Sequence, residues 1–365
     1  MEDPLATGDK TDAAAKPPRP LRRIRKRILC VNAGSTSLKL SVVEPDGAAA
    51  PVESLDAVPD DVAAVAHRVV HGGRRFRDPV VIDDAVEREL EAAVELAPLH
   101  NAPALAAIKQ AREALPDLPH VAVFDSAFHA TIPEDAATYA LPAKVREDWG
   151  IRRYGFHGLS VQWASERVRV PRLVVCHLGG GCSVTAVRDG RSVDTTMGFT
   201  PLEGVPMATR PGSVDPGALL YLLEHHLTLE ELDRMLEHES GLTGLSGLSG
   251  DVRELEGSKA PAARLALAVF TYRVATAVGA MAAALRGIDA LVFTAGIGEN
   301  SASVRAAVCE RLGFLGVELD ADANAAAQLD AGIAAAGSSV QVIVLEARED
   351  VIAARAARQL LGLSA

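Results

Sequence analysis

Two stretches of the chain, 146 residues apart, carry one pattern. Ile28–Gly47 reads ILCVNAGSTSLKLSVVEPDG and Leu173–Gly190 reads LVVCHLGGGCSVTAVRDG. Each is an apolar run, a turn of glycine and small hydroxyl residues, and an alternating run that closes on Asp-Gly. Setting Cys30 on Cys176 places Gly34 on Gly180 and Ser37 on Ser183. A strand, a tight turn and a second strand make a hairpin whose tip presents backbone N–H groups to an anion. Two such tips predict a duplicated α/β fold that grips a polyphosphate from both sides. Two unrelated hairpins in an α/β protein are the alternative.

The chain has 365 residues, enough for two domains with substantial cores. It is 48% hydrophobic and 23% charged, a globular composition. The net charge of −11 argues against nucleic acid or an anionic membrane as partner. An anionic substrate would then need its own local cluster of arginines. The longest apolar stretch, Val274–Leu285, is too short to span a bilayer, and no apolar run follows the opening Met-Glu-Asp-Pro. A cytoplasmic protein is expected. Cys30, Cys176, Cys182 and Cys309 form no CxxC pair, which fits a reducing compartment and thiols used as small hydrophobes.

Residues 1–27 carry proline, alanine and charge, with a basic run over 19–27 that reads as a flexible solvated tail or, alternatively, a binding arm. Strands and helices alternate from Ile28. A helix capped near Ile82–Ala85 is expected to end near Ala97-Pro98, and a second to run from about Pro103 to Pro116. His120–Asp125 reads as a short strand ending in a carboxylate, a position that borders the ligand crevice of α/β sheets. Leu173–Cys176 and Ser183–Val187 read as strands, Asp215-Pro216 as a helix start, and Thr228–Glu231 as a capping box with a stop at Gly241. Ala262–Leu285 reads as a long helix packed on both sides, and Ala290–Thr294 and Val340–Leu345 as strands. The order of hairpin, helix and strand occurs twice, which predicts two related domains with a cleft between them.

Neither G-x-x-x-x-G-K-[ST] nor a strand-to-helix G-x-G-x-x-G is present, so the hairpin tips must hold phosphate. At the first tip, Asn32, Ser35 and Ser37 offer oxygens suited to Mg²⁺ or its waters, and Lys39 offers a point charge. At the second, His177-Leu-Gly-Gly-Gly181 lets backbone amides approach an oxyanion. Arg68 lies among apolar residues at a strand end, and Arg210 sits between Thr209 and Pro211. A guanidinium there suits a carboxylate or a phosphoryl group; a structural ion pair is the competing account. His157 has a similar glycine-flanked setting, in which a structural imidazole is the simpler reading.

These blocks resemble the acetate kinase family. The resemblance is carried by Asn32-Ala-Gly-Ser-Thr-Ser-Leu-Lys39, His67-Arg-Val-Val-His-Gly-Gly73, Val123-Phe-Asp-Ser-Ala-Phe-His129 and Arg153-Tyr-Gly-Phe-His-Gly158. It continues in His177–Gly181, Met197–Gly204 and Phe293–Ser301, in family order from Ile28 onward. It implies the duplicated ribonuclease H-like, two-domain fold of actin, Hsp70 and sugar kinases, with an interdomain nucleotide cleft. The expected division is 28–128 plus 350–365 for the N-terminal domain and 129–349 for the nucleotide-binding domain. The implied reaction is reversible, in-line phosphoryl transfer from ATP to acetate, giving acetyl phosphate and ADP, with Mg²⁺ or Mn²⁺ and a homodimeric enzyme.

Residue by residue, the resemblance implies Asp125, His157 and Arg210 in catalysis. Arg68 would bind the carboxylate, with Val70, Leu99, Phe156 and Pro201 around the methyl group. Lys39, His177, Leu178, Gly179, Gly180, Gly181, Asp251, Val252, Arg253, Gly296, Ile297, Gly298, Glu299 and Asn300 would meet the nucleotide, and Asn32 and Glu349 the metal. The chain departs from the family pattern in a short Val43–Arg68 segment and in Gly180, where many relatives carry Asn. It departs again in Ala347-Arg-Glu-Asp350, where Asp350 competes with Glu349 as the metal residue. A propionate or butyrate kinase is one alternative; an ATP-binding switch without catalysis is the other.

Overall fold

In a computed structural model of the chain, residues 27–33, 38–92 and 98–363 are described, 98–100 by their helical backbone only. Residues 1–26, Gly34, Ser35, Ser37 and the Leu99 side chain therefore lie outside the described part. Two six-stranded sheets form the frame. The first contains β1 (Arg27–Ala33), β2 (Leu38–Val43), β3 (Ala49–Val52), β4 (Val62–Val69), β5 (Val80–Val81) and β6 (His120–Phe124). The second contains β7 (Arg172–Leu178), β8 (Cys182–Arg188), β9 (Arg191–Thr195), β10 (Ala290–Thr294), β11 (Ala331–Gly332) and β12 (Gln341–Val344). The orders are β3-β2-β1-β4-β6-β5 and, read in the same sense, β9-β8-β7-β10-β12-β11. Each sheet has an antiparallel hairpin, two parallel neighbours and a short antiparallel edge strand. The duplication expected from the repeat is present in the topology.

The constant offset of 146 fails beyond the turn. Asn32 pairs with Lys39, whereas Leu178, its equivalent along β7, pairs with Cys182. The Asn32–Lys39 pair encloses residues 33–38 and the Leu178–Cys182 pair only 179–181, so the offset drops to 143 (182 − 39) on the return strand. By the ladder Ser183 faces His177 and corresponds to Leu40 rather than to Ser37. Sequence overlay cannot see this, because glycine and serine fill turns of either length.

Several boundaries also move. Asp83 accepts from the amides of Ala85 and Val86 and starts the helix Asp84–Ala92. The next helix runs Pro98–Ala114, with Pro98 in the first turn, where no N–H is needed, and Pro103 inside it. Thr228 and Glu231 form the expected capping box, but that helix ends at His238 and Gly241, at φ +60°, opens the following one.

The helix Pro261–Leu285 is 25 residues long and apolar enough, by length and composition, to cross a membrane, contrary to the sequence reading. It buries Ala263, Ala266, Phe270, Val274, Val278, Met281 and Leu285, spaced three and four apart, and packs on β7, β8 and β9. Its opposite face, with Leu265 and Tyr272, is exposed, so it is packed on one side and not on both.

The C-terminal helix Glu349–Leu360 returns to the first sheet, packing Val351, Ile352 and Ala354 against β1 and β4. The helix Gly158–Arg167 joins the halves, with Leu159 in the first core and Val161 and Ala164 in the second. All four cysteines are buried, and burial raises the thiols of Cys182 and Cys309 to about 12.

Candidate active site

A cleft of about 1650 Å³ opens between the sheets, larger than the usual 300–1,000 Å³ of a ligand pocket and roomy enough for two substrates. The carboxyl ends of β1, β4, β6 and β7 contribute Asn32, Arg68, Asp125 and His177 to its lining, as expected for parallel strands of an α/β sheet. Asn32, Lys39, Arg68, Val70, Asp125, Phe156, His157, His177, Gly179, Gly180, Gly181, Pro201, Arg210, Gly296, Glu299 and Glu349 all line it.

Arg68 is the hub of the first wall. Its Nε donates to both Asp125 oxygens at 3.0 and 3.1 Å and its Nη2 to Oδ2 at 2.6 Å. Its Nη1 reaches Glu349 Oε2 at 2.7 Å and Asn32 Oδ1 at 3.2 Å. Asn32 Nδ2 in turn donates to Glu349 at 3.3 Å. Burial alone would weaken the Arg68 charge, but Asp125 and Glu349 hold the guanidinium above its ordinary value. Burial lifts the Asp125 carboxyl against the pull of Arg68, and Glu349 adds to the rise. With both oxygens engaged by a guanidinium, Asp125 positions Arg68 in this geometry. Asp350 faces Arg348 and the amide of Val351, so Glu349 is the carboxylate beside Asn32.

The second wall carries His157, His177 and Arg210. His157 caps the helix Gly158–Arg167 in a left-handed conformation, φ +58°, which is strained for a residue with a Cβ. The strain is fixed by a close approach: a Cβ on Gly158 would lie 1.9 Å from the Asp125 carbonyl. His157 Nδ1 bonds to Ser183 Oγ at 3.0 Å, and its ring stacks on His177 at 4.0 Å. His177 bonds to Ser160 Oγ at 2.9 Å, and burial beside Arg68 pulls it to about 3, so it is neutral at pH 7. Arg210 Nη1 donates to the Pro201 carbonyl at 3.1 Å. Burial lowers Arg210, against the opposing charge of Glu237.

His157 and Arg210 converge over Gly181. A Cβ there would lie 2.9 Å from Arg210 Nη2 and 3.1 Å from His157 Nε2, whereas one on Gly180 would meet nothing within 4 Å. Gly181 is not in the left-handed region. Gly181→Ala is therefore expected to fold normally but to displace both side chains, lowering kcat by about tenfold or more, roughly 1.4 kcal/mol. Gly180→Asn should leave kcat near wild type. Steady-state kinetics beside a thermal melt check both.

Not every residue singled out by sequence reaches the cleft. Leu178, Val252 and Gly298 are buried, and Ile297 packs against the second core. Asp251 caps the helix Val252–Gly257 and pairs with Arg253, away from the cleft lining. The Glu299 carboxylate holds the amides of Ala295 and Ala347 at 2.9 and 2.8 Å, a brace between β10 and the crossing to the last helix. Asn300 Nδ2 donates to the Gly296 carbonyl. Sequence reasoning gave Ser183 only a place in the hairpin repeat and missed Ser160, the two serines that bond the imidazoles, as well as Glu237 and His238, which line the cleft. No spacing signal ties them to it.

The acetokinase family model matches residues 52–355. The chain belongs to the acetokinase family. An acetate kinase of Synechococcus sp. (strain JA-2-3B'a(2-13)) is 50% identical over 312 residues, 82% of this chain and 77% of that protein. One from Deinococcus deserti is 51% identical over 318 residues, 83% of this chain and 80% of that protein. Among solved structures, a propionate kinase from Francisella tularensis superposes with a TM-score of 0.83 at 32% identity, covering 91% of this chain and 98% of that one. Porphyromonas gingivalis acetate kinase gives 0.81, also at 32% identity, with 92% and 100% covered. This acetokinase-family chain thus shares the two-sheet frame of solved acetate and propionate kinases.

Proposed function

We propose that the chain transfers the γ-phosphoryl group of ATP to acetate, reversibly and in line, with acetyl phosphate and ADP as products. The observation that carries this reading is the convergence of Arg68, Arg210, His157 and Lys39 on a cleft that also has an apolar patch of Val70, Phe156 and Pro201. Acetate is ionised at pH 7 and needs no base; the difficulty is bringing two anions together. Arg68 is placed to hold the carboxylate, while Arg210 and His157 face the equatorial oxygens of the group in transfer. The apolar patch receives the methyl group. Lys39 and the amides of Gly179–Gly181 are assigned to the nucleotide phosphates, with Gly296 and the turn at Ala295 towards the nucleoside.

Asn32 and Glu349 are neighbours, the amide nitrogen of Asn32 facing the carboxylate, and each carries a hard oxygen; that set fits Mg²⁺, an ion held by one or two protein oxygens, waters and substrate phosphates. Among the described residues no larger ligand cluster competes with them. Such a metal ion would neutralise charge on the phosphates. It would also engage Glu349, which otherwise occupies one arm of Arg68.

A second substrate is favoured by the likeness to a solved propionate kinase. A hydrophobic pocket separates acyl chains differing by one methylene by only about 1–3 kcal/mol, roughly 10–200-fold. Kinetics with acetate, propionate and butyrate should show kcat/KM falling in that order and vanishing without a divalent cation. A butyrate value above that for acetate overturns the acyl assignment, and tight ATP binding without acyl phosphate would favour the switch.

The division into 28–128 with 350–365 and 129–349 is proposed to follow the two sheets, with a cytoplasmic homodimer as the working unit. The helix Pro216–His225 (PGALLYLLEH) buries none of its residues, and Leu229, Leu248 and Leu265 are also exposed. Light scattering is expected to give a dimer, split by Leu220→Glu with Leu229→Glu; a monomeric wild type contradicts this.

A further inference from the structure

We propose that Arg153 and Glu203, bonded to each other and with Glu203 also held by Tyr139, form a clamp that sets the spacing between His157 and Arg210; the inference rests on the phosphotransferase reading above. None of the three lines the cleft, so they are positioning residues. Arg153 opens the segment that ends at His157. Its Nη1 donates to three successive carbonyls, Thr195 at 3.0 Å and Thr196 and Met197 at 3.1 Å, where β9 gives way to irregular chain. Its Nη2 donates to Glu203 Oε1 at 3.0 Å. The Tyr139 hydroxyl donates to the other Glu203 oxygen and accepts from the Phe199 amide at 2.9 Å. The Tyr154 amide donates to the Gly198 carbonyl at 3.0 Å.

The segment that carries His157 thus holds the stretch 197–203 near its start, through Arg153 and Tyr154, and at its end, through Arg153, while Tyr139 holds Phe199 and Glu203. That stretch bears Pro201, whose carbonyl anchors Arg210 at 3.1 Å. One side of the clamp therefore leads to the imidazole and the other to the guanidinium, and the two meet over Gly181. The irregular chain has no ladder of its own to fix it. A planar guanidinium with five donors in a fixed fork can hold a row of carbonyls and a carboxylate together, which an ammonium cannot. Packing around the clamp is tight: a Cβ on Gly198 would lie 1.7 Å from Glu203 Oε2 and 2.0 Å from the Tyr139 hydroxyl. A shift at Glu203 is therefore passed to the loop rather than absorbed.

The test uses the full chain with Arg153→Lys, Glu203→Gln and Tyr139→Phe, reading kcat, both KM values, acyl-chain preference and thermal midpoint. The first two are expected to lower kcat about tenfold or more and Tyr139→Phe about threefold, with KM for ATP within about twofold of wild type. The preference for acetate over propionate should shrink in all three, because Pro201 moves with the loop. A purely structural pair would lower the melting point and leave kcat and acyl preference of the folded enzyme unchanged; that result overturns the proposal. If Arg153→Lys fails to fold, Tyr139→Phe decides alone, since it keeps the ring and loses only the hydroxyl. A wild type that makes no acyl phosphate removes the underlying reading instead.

Discussion

Arg210→Ala is expected to lower kcat for acetyl phosphate formation by roughly 10²–10³-fold, the cost of deleting one donor aimed at developing charge, about 2.7–4 kcal/mol. The side chain is half-buried; Nη1 donates to the Pro201 carbonyl and Nη2 points at the glycine loop. The Pro201 carbonyl fixes where the guanidinium sits. Arg210→Lys should recover only a small part of the loss. An ammonium cannot both hold Pro201 and reach the loop. Affinity for ATP, read by titration without turnover, should change far less than kcat. Near-normal kcat in Arg210→Ala would remove this arginine from the mechanism.

Acid should unfold the protein well before carboxylates are titrated. Burial pulls His67 and His177 to about 3 and His71 and His129 to about 4, against about 6.5 in an unfolded chain. Between those values the unfolded state binds more protons than the folded one, so stability rises with pH there. The contribution is complete above pH 6.5 and is lost as pH falls towards 4 and then 3. By pH 5 each histidine contributes up to about 2 kcal/mol of loss, and four together rival the whole stability of a typical domain. The interior cannot host the added charge. His67 Nε2 already faces His120 Nδ1 at 2.9 Å, and His67 Nδ1 is buried without a hydrogen-bond partner. Thermal melts from pH 8 to 5 should show a steep fall below pH 6.5. A flat profile down to pH 5 would mean that these imidazoles are protonated in the folded state.

Local chemistry made part of this molecule readable in advance. Gly/Ser turns, a proline at a helix start and the Thr228–Glu231 box are short-range signals, and each led to a real element. The repeated hairpin led to a repeated sheet because strand order follows from the same unit used twice. Turn length was not legible, and the return strand of the overlay slipped by three residues. The face of Pro261–Leu285 left exposed was not legible either, because alanine fits buried and open positions alike.

The site divides in the same way. Asn32, Arg68, Asp125 and Glu349 are joined by hydrogen bonds across separations of up to 317 residues, which no spacing rule connects. Only resemblance placed them together. Arg153 and Glu203 stood in two of the quoted motifs, yet nothing in either motif says that one grips the other.

Trapping of acetyl phosphate as its hydroxamate tests the account most directly, with purified full-length chain, ATP, acetate and Mg²⁺, run beside Arg68→Ala. Steady hydroxamate formation is expected from the wild type, none without divalent cation, and a loss of roughly 10²-fold or more in Arg68→Ala with ATP still bound. Wild-type protein that binds ATP tightly and yields no hydroxamate, or Arg68→Ala that yields as much as wild type, would contradict it.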